Sequence, residues 1–316
     1  MRFDWCESFS IYSNCLEGRR LQLTIAERRD TVRRLSLFHF SGDPVLLSIV
    51  TICRNNPAEL GYTLASFARL DTTLVETIVV DGSDNDACER IGSGRVTQYI
   101  RGRDSGRFNA MNKGVKRAGG ASVLFMNSGD RLADATSFCA VVRRHCAVLG
   151  RTILYSDYVH EFEGFSVRVN APPLTLENLR IGKLPSHQST LIPATFYKRH
   201  QFDESYQIYA DTELNRRAFS SIPAIYIPEV IGRFAAGGIS TTPGSWRLEA
   251  RRYREACRAL DLTKEERRKL FRNLVKRKLV LLRFGAAEIK RRQEMRFKKE
   301  FPLYDPDPTA TSPAPP

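Results

Sequence analysis

Leu47-Ser-Ile-Val-Thr-Ile-Cys53, followed directly by Arg54-Asn-Asn-Pro57, is the stretch that decides the fold. Its first seven residues are mostly β-favouring, contain no Gly or Pro, and predict a buried strand. The Asn and Pro behind them are typical of a helix N-terminus and predict a helix over 57–70. A buried strand that leads into a helix is the unit of α/β proteins, so we expect a mostly parallel sheet flanked by helices.

The same alternation continues along the chain. Apolar runs predict strands at 75–80, 96–100, 121–126 and 152–156, with helices at 106–118 and 132–148. Residues 158–245 are less regular. Ligands of parallel sheets bind beyond the carboxyl ends of the strands. Arg54, Asp81 and Asp130 each follow a predicted strand, so we expect the polar chemistry of the protein at these positions.

The composition fits a globular protein. A chain of 316 residues with 42% hydrophobic residues suits one large α/β domain with appendages, or two small domains. No apolar run approaches the roughly 18 residues of a membrane span, and the N-terminus does not resemble a secretory signal. The seven cysteines are scattered without a CxxC pair. This spacing disfavours a disulfide framework and a zinc site, and it indicates a reducing cytoplasm.

The positive charge lies mainly near the C-terminus. Of the net charge of +14, residues 247–300 contribute +12 through 20 Lys/Arg and 8 Asp/Glu. A local basic face predicts an anionic partner, either phospholipid or nucleic acid. The expected organisation is an appendage with helical periodicity at 1–43, a main domain at 44–245, a basic amphipathic helical tail at 246–300, and a disordered Pro-rich end at 301–316.

Several polar positions allow two interpretations each. Asp130 could bind a hard cation through its carboxylate, or belong to an Asn-Ser-Gly-Asp turn. Asp81 could accept hydrogen bonds from a base or a ribose, or cap a helix. Asp211 opens a predicted helix, where a carboxylate is either a cap or a general base. His187 suits a metal ligand, a phosphate contact or a structural histidine, and Gly237-Gly238 suits either a close approach to a ligand or a plain loop.

Four stretches are more specific when they are taken together. They are Ser48-Ile-Val-Thr-Ile-Cys-Arg-Asn55, Ile78-Val-Val-Asp-Gly-Ser83, Asp104-Ser-Gly-Arg-Phe-Asn-Ala-Met-Asn-Lys-Gly114 and Leu124-Phe-Met-Asn-Ser-Gly-Asp130. Their order resembles the family 2 glycosyltransferases, and especially the bacterial exopolysaccharide group that includes the colanic-acid enzymes. The third is similar to the family's D-x-G-x-x-D-A-M-N-x-G segment. The resemblance covers about residues 45–240 and implies a GT-A fold for the domain at 44–245.

The resemblance also implies the roles of individual residues. Those expected to bind the nucleotide sugar are Arg54, Asp81, Asp104, Asn112, Asn127 and His187, with Asp81 on the nucleoside and His187 near the diphosphate or acceptor. Asp130 matches the last carboxylate of the metal motif, for Mg²⁺ or Mn²⁺, and Asp211 matches the catalytic base. Two positions depart from the family pattern. Asn127 replaces the first Asp of the usual D-x-D, and Asn109 stands where many relatives have Asp.

The implied activity is transfer of a hexosyl group from a nucleotide-sugar donor to a glycan acceptor, with inversion at the anomeric carbon. The expected acceptor is lipid-linked, and the expected pathway is cell-surface polysaccharide biosynthesis. A basic helix with an apolar stripe can lie on an anionic membrane, so we expect a cytoplasmic protein that is peripheral on the inner face of the cell membrane. The equal alternative for the tail is a helix packed on the domain.

Three rival functions were weighed against this interpretation. A sugar nucleotidyltransferase should have a Gly-rich N-terminal loop followed by basic residues, and residues 51–56 do not fit that pattern. A nucleic-acid-binding protein is disfavoured because the basic charge is confined to the tail and is not interleaved with stacking aromatic residues. A non-catalytic scaffold is disfavoured because Asp81, Asp130 and Asp211 are present together. No nucleic-acid partner is therefore expected.

Overall fold

A computed structural model of the chain describes residues 45–235 and 246–304. The predicted appendage at 1–43 and the Gly237-Gly238 pair lie outside the described residues. Within these two ranges, none of the helices combines the length and the hydropathy that a bilayer crossing requires.

Strands and helices alternate through the first half of the described chain, as the sequence pattern predicts. The strands are β1 (Leu47–Cys53), β2 (Val75–Asp81), β3 (Gln98–Arg101), β4 (Ser122–Phe125), β5 (Arg131–Leu132), β6 (Ile153–Phe162), β7 (Phe165–Val169), β8 (Thr190–Pro193) and β9 (Ala224–Ala235). The helices are α1 (Pro57–Ala65), α2 (Ala87–Gly92), α3 (Arg107–Arg117), α4 (Ala135–Arg144), α5 (Leu176–Arg180), α6 (Ala194–His200), α7 (Ala210–Ser221), α8 (Trp246–Ala259) and α9 (Lys264–Glu300). A short 3₁₀ turn, His187–Ser189, precedes β8.

The strands of the described residues form one sheet in the order β3-β2-β1-β4-β8-β6-β9-β5, and β7 pairs with β6. β1 is parallel to β2 and β4, and β2 is parallel to β3. β8 is antiparallel to β4 and β6, whereas β6 and β9 are parallel. The predicted α/β sheet flanked by helices is confirmed, and its parallel part brings the carboxyl ends of β1, β2 and β4 to one edge.

Alternate residues of the central strands point into two apolar layers, one on each face of the sheet. Leu47 and Ile49 of β1 face one layer, which also contains Leu60 of α1. Val50 faces the other layer. On that side α3 lies so close to β1 that a Cβ added at Gly114 would lie 2.3 Å from Val50 Cγ1. Helices therefore cover both faces, and polar groups that follow the strands are left at the edge.

The structure corrects the prediction in the second half of the domain. Residues 158–235 are more regular than expected, because the strand predicted at 152–156 continues to Phe162 and β7, β8 and β9 follow it. The helix predicted over 132–148 is shorter. It begins at Ala135, where Asp134 caps it by accepting a hydrogen bond from the Ser137 amide at 2.6 Å. β8 and β9 pair with partners distant in sequence, which local periodicity does not reveal, whereas β7 forms a hairpin with β6.

The basic tail consists of two helices that contact the domain. α8 buries Ala256 and Ala259, and a Thr263–Glu266 capping box starts α9. At the far end, the Phe297 ring lies 5.2 Å from that of Phe162, and Leu303 forms a β-bridge with Val167. The disorder predicted for 301–316 is therefore wrong for residues 301–304, and residues 305–316 lie outside the described residues.

Candidate active site

The loop after β4 is the first component of the site. The Asn127 amide donates to Asp130 Oδ2 at 2.9 Å, which closes a tight turn at 127–130. Neighbouring elements fix this turn, because the Ser128 amide donates to the Ile52 carbonyl and the Gly129 amide to Thr63 Oγ1. The loop is therefore held against both β1 and α1, at the carboxyl edge where the sequence predicts polar chemistry.

Asp130 has an unusual electrostatic environment. It is only 9% exposed. Burial raises the pKa of this carboxyl group to about 6, although the charge of His187 and hydrogen bonds from Asn127 and Gln188 oppose the shift. A buried carboxylate of raised pKa gains stability when a cation pairs with it. Such perturbed groups are concentrated at functional sites.

His187 connects the β4 loop to the start of α7. Its Nε2 lies 3.3 Å from Asn127 Nδ2, and its Nδ1 lies 3.4 Å from Asp211 Oδ2. Both contacts are hydrogen bonds when Nδ1 carries the proton and donates it to Asp211, and Nε2 accepts from the side-chain amide of Asn127. The structure therefore joins Asn127, His187 and Asp211, which are far apart in sequence, into one polar row.

Asp211 lies in the first turn of α7. Burial would raise its pKa, but the hydrogen bond and charge of His187, the Thr212 amide and the Arg107 charge outweigh burial, so the pKa lies below its usual value. The carboxylate is therefore ionised at neutral pH and able to accept a proton. Its Oδ1 accepts from the Thr212 amide at 2.7 Å, while Oδ2 faces His187.

The β4 loop also supplies oxygen atoms suited to a hard cation. Among the described residues, Asn127 Oδ1 and Ser128 Oγ are buried and have no hydrogen-bond partner. Such orphaned groups are costly unless a ligand satisfies them. Together with the carboxylate of Asp130 they form an oxygen-only donor set, which Mg²⁺ and Mn²⁺ prefer. The residues present therefore fit the predicted divalent cation.

Asp81 lies in a second, enclosed cluster. It is fully buried, and its two oxygens accept from the Ser83 amide at 2.8 Å and the Tyr99 hydroxyl at 2.7 Å. Within the described ranges, Cys53, Asp81 and Cys88 are the one group of three metal-type side chains whose ligand atoms lie within 4.8 Å of each other. Burial and the neighbouring Asp81 raise the pKa of Cys53. The thiol therefore stays protonated and is a poor ligand for a hard cation.

The other residues predicted to bind the donor have varied surroundings. Asp104 pairs with Lys113 at 2.6 Å, and the exposed Arg54 lies 3.7 Å from Asp84. Asn112 is buried. Its side-chain nitrogen donates to the Phe202 carbonyl oxygen, and its side-chain oxygen accepts from the Phe202 backbone amide. The Asn112 side chain thus holds the start of the connection between α6 and α7. A direct contact with the donor by Asp81, Asp104, Asn112 or Arg54 stays a prediction.

A cavity of about 280 Å³ adjoins the segment that leads into Asp211. It is lined by the first turn of α3, by residues 204–208 and by Leu248 of α8. Sequence reasoning did not single out Arg107, which lies in this wall within electrostatic range of Asp211. Arg107 lies inside segment 104–114, which resembles the family motif, and this position could have indicated that Arg107 is a site residue.

Gly232 of β9, which packs closely against the turn that carries His187, was also not identified from the sequence. This close approach leads to a testable prediction. A Cβ added there would lie 2.5 Å from the Gln188 carbonyl oxygen, so Gly232→Ala must displace the turn that carries His187. We expect a loss of 1–3 kcal/mol in stability, about the usual cost of overpacking. We also expect a ten- to hundredfold fall in kcat, roughly what a 1 Å misplacement costs. Unfolding curves and initial rates measure the two effects.

Gly61→Ala is the matched control for this substitution. A Cβ at Gly61 meets Ile91 Cγ2 at an ordinary 3.6 Å, and the residue lies in α1. We expect unchanged or slightly increased stability and wild-type turnover. Wild-type turnover in Gly232→Ala would show that the close approach of β9 does not fix the His187 turn.

The chain is similar to known glycosyltransferases. Residues 48–163 match the family described as Glycosyl transferase family 2. The chain is 28% identical over 217 residues to a PGL/p-HBAD biosynthesis glycosyltransferase of Mycobacterium tuberculosis, covering 62% of this chain and 80% of the relative. It is 27% identical over 209 residues to an uncharacterized glycosyltransferase of the same species, covering 62% and 77%.

Among solved structures, the chain resembles S. aureus TarS 1-349 in complex with UDP-GlcNAc. The TM-score is 0.54 at 16% sequence identity, and the match covers 73% of this chain and 72% of TarS 1-349. At that identity the likeness shows the fold, which is the GT-A fold expected from the sequence. The chain is therefore a glycosyltransferase with a GT-A fold, and its residues 48–163 match Glycosyl transferase family 2.

Proposed function

We propose that the protein is an inverting, metal-dependent glycosyltransferase that moves a hexosyl group from a nucleotide-sugar donor to a lipid-linked glycan in cell-surface polysaccharide biosynthesis. One observation carries the proposal. His187 connects the oxygen-rich β4 loop, which includes Asn127, to the ionised carboxylate of Asp211. The loop that we propose for the donor diphosphate and the carboxylate that we propose as the base are both in contact with this one imidazole.

The loop after β4 is the proposed anchor of the diphosphate. Asp130 and the side-chain oxygens of Asn127 and Ser128 would hold the divalent cation. When bound, the cation supplies charge stabilisation to the departing nucleoside diphosphate. The protein contributes a turn that is already fixed against β1 and α1, so these oxygens need little reorganisation when the donor binds.

Asp211 is the proposed general base. Its carboxylate takes the proton of the acceptor hydroxyl while that oxygen attacks the anomeric carbon. The bond from this carbon to the diphosphate oxygen breaks as the new glycosidic bond forms, so one direct displacement inverts the configuration. His187 keeps Oδ2 of the base oriented, and its Nδ1 proton holds the pKa of Asp211 low enough for full ionisation at neutral pH.

The decisive experiment is a screen of UDP-, GDP- and dTDP-sugars by isothermal calorimetry, with and without Mn²⁺. UDP-GlcNAc is included because the structurally similar TarS was solved with it. We expect one nucleotide class to bind with an affinity that depends on Mn²⁺. Absence of binding by every activated sugar in both metal conditions contradicts the proposal. Release of pyrophosphate in place of nucleoside diphosphate would favour a nucleotidyltransferase.

The proposed membrane contact is a stripe on α9 formed by Phe271, Leu279 and Leu282. These side chains are 52%, 58% and 69% exposed, and at 100° per residue they fall within one narrow face of the helix. Many Lys and Arg residues of α9 surround them. Apolar side chains within a basic helix favour an anionic lipid surface, and we propose that this surface is the inner face of the cell membrane.

Polar substitutions in this stripe test the membrane contact. We expect Phe271→Asn with Leu282→Asn to weaken sedimentation with anionic phospholipid vesicles by tenfold or more, since each buried apolar side chain contributes about 1.5–3 kcal/mol. Leu176→Asn is the matched control, because Leu176 is 87% exposed but lies in α5 outside the basic helix. Equal effects of the two variants, or equal binding to neutral vesicles, would argue against the stripe.

A further inference from the structure

We propose that Glu255 of α8 is a positioning residue for Asp211, so that the first helix of the basic tail belongs to the catalytic unit. This inference rests on the proposed function, because it assumes that Asp211 is the base. Local sequence does not indicate this role, since Glu255 lies among the arginines of the basic tail, for which membrane contact is one of the two predicted roles.

Glu255 binds three consecutive backbone amides. Its Oε1 accepts from the Gln207 amide at 3.0 Å, and its Oε2 accepts from the Ile208 and Tyr209 amides at 2.8 and 3.1 Å. The residue is only 7% exposed, which makes these charge-assisted hydrogen bonds strong. A buried carboxylate with three amide donors fixes the backbone of the segment that it contacts.

That segment leads directly into the catalytic helix. Tyr209 is the N-cap residue of α7 and provides no side-chain cap of its own. The Glu255 carboxylate accepts from the amide of this N-cap residue and from the two amides before it, and its negative charge near the helix N-terminus complements the helix dipole. Asp211 follows two residues later, and its Oδ1 accepts from the Thr212 amide in the same first turn. The orientation of Asp211 therefore depends on how the start of α7 is held.

A second residue of α8 holds the same segment. The Arg258 guanidinium lies 3.6 Å from the centre of the Tyr206 ring, and it donates to Ser205 Oγ at 2.7 Å. Glu255 and Arg258 are three residues apart in a helix, so they project from neighbouring positions on one face. α8 thus holds residues 205–209 at two points, and Leu248 of the same helix lines the adjoining cavity.

Glu255 also shares a charged neighbour with the base. Arg107 is within electrostatic range of both carboxylates, Asp211 and Glu255. Removal of residues beyond about 244 would take away Glu255, so it would impair catalysis as well as any membrane contact. Point substitutions separate the two effects, which a truncation cannot do.

The test compares Glu255→Gln and Glu255→Ala in the full chain. Gln keeps one acceptor oxygen and the side-chain volume, so we expect a kcat about tenfold below wild type. Ala removes every acceptor, and we expect a kcat about a hundredfold below wild type. The donor affinity, measured by calorimetry with UDP-, GDP- and dTDP-sugars, should stay within about threefold, because the β4 loop is untouched.

A double-mutant cycle distinguishes positioning from loss of stability. In the Asp211→Asn background, Glu255→Ala should cause little further loss of kcat, because there is no longer a base to position. Ala256→Gly, which perturbs the buried face of α8 without removing a charge, is the stability control and should keep a near-wild-type kcat. Two results would overturn this inference and leave the proposed function standing. One is a double variant whose loss of kcat is the product of the two single losses. The other is a wild-type kcat in Glu255→Ala when Asp211→Asn is inactive. Full activity in Asp211→Asn overturns the proposed function itself.

Discussion

Replacing Asp211 by Asn lowers kcat by about a hundredfold to ten-thousandfold, the range usually lost with a general base. Asn is nearly isosteric, and its single oxygen can still accept from the Thr212 amide, so the first turn of α7 should be preserved. Its NH2 group cannot accept from His187 Nδ1–H, so the contact with the imidazole is lost in that tautomer. The amide cannot take a proton from the acceptor hydroxyl. Donor affinity should therefore change little, and initial rates at saturating donor, combined with calorimetry, measure the two quantities separately.

Glu213→Gln is the control for this variant. Glu213 is also acidic and lies in the first turn of α7, but its carboxylate pairs with Arg217 at 2.8 Å. We expect this change to cost less than about 1 kcal/mol in stability and to leave kcat near wild type. If Asp211→Asn turned over at the wild-type rate, Asp211 would not be the base.

Replacing Asp130 by Asn should remove the Mn²⁺ dependence of donor binding and lower activity at least a hundredfold, because a metal at such a site contributes several kcal/mol. The same change should stabilise the metal-free protein. Burial raises the folded-state pKa of Asp130 to about 6 from 3.8, so the ionised group destabilises the fold at neutral pH. Converted at 1.36 kcal/mol per pKa unit, the gain is at most about 3 kcal/mol.

The pH dependence of that gain has a definite sign. A raised folded-state pKa means that the native protein binds the proton more readily than the unfolded chain does. The gain from Asp130→Asn is therefore complete above pH 6 and disappears as the pH falls toward 4. In the wild type, Mn²⁺-dependent donor binding should weaken by up to about tenfold per pH unit below pH 6. Thermal unfolding and calorimetry between pH 4 and 8 measure both effects.

An unchanged response to Mn²⁺ in Asp130→Asn would show that the cation binds elsewhere. Asp134→Asn is a suitable control, because Asp134 lies four residues away and caps α4. Because Asn caps a helix about as well as Asp, this variant should keep near-wild-type stability as well as the metal dependence. Together the two variants separate a carboxylate that binds a ligand from one that only supports a helix.

The central strands could be predicted because their information is local. In β1, β2 and β4 a short β-favouring run is followed by turn or helix-capping residues, and the rule for ligand sites in parallel sheets then pointed to their carboxyl ends. Asp130 was predicted as a site residue in this way, whereas Asp211, which opens a predicted helix, was predicted as the base from the resemblance. The resemblance to family 2 glycosyltransferases added the order of the segments, which agrees with the family match over residues 48–163.

Local sequence patterns could not show which polar groups meet and which are enclosed. Asp81 follows its strand as expected, yet the Tyr99 hydroxyl and the Ser83 amide occupy its two oxygens. Asn112 belongs to the most family-like segment, yet its amide holds the Phe202 backbone 90 residues away. Exposure and hydrogen-bond partners depend on how distant elements pack, which periodicity does not encode.

The sequence by itself determined the parallel half of the sheet, the acidic residues beyond its strands, and the helical, basic character of the tail. These features depend on side chains within a few residues of each other. Only the tertiary structure decided that His187 joins Asn127 to Asp211, that β9 approaches this turn at Gly232, and that Glu255 reaches back to hold the start of α7. Each of these contacts joins residues at least 24 positions apart, and its geometry exists only after the layers have packed.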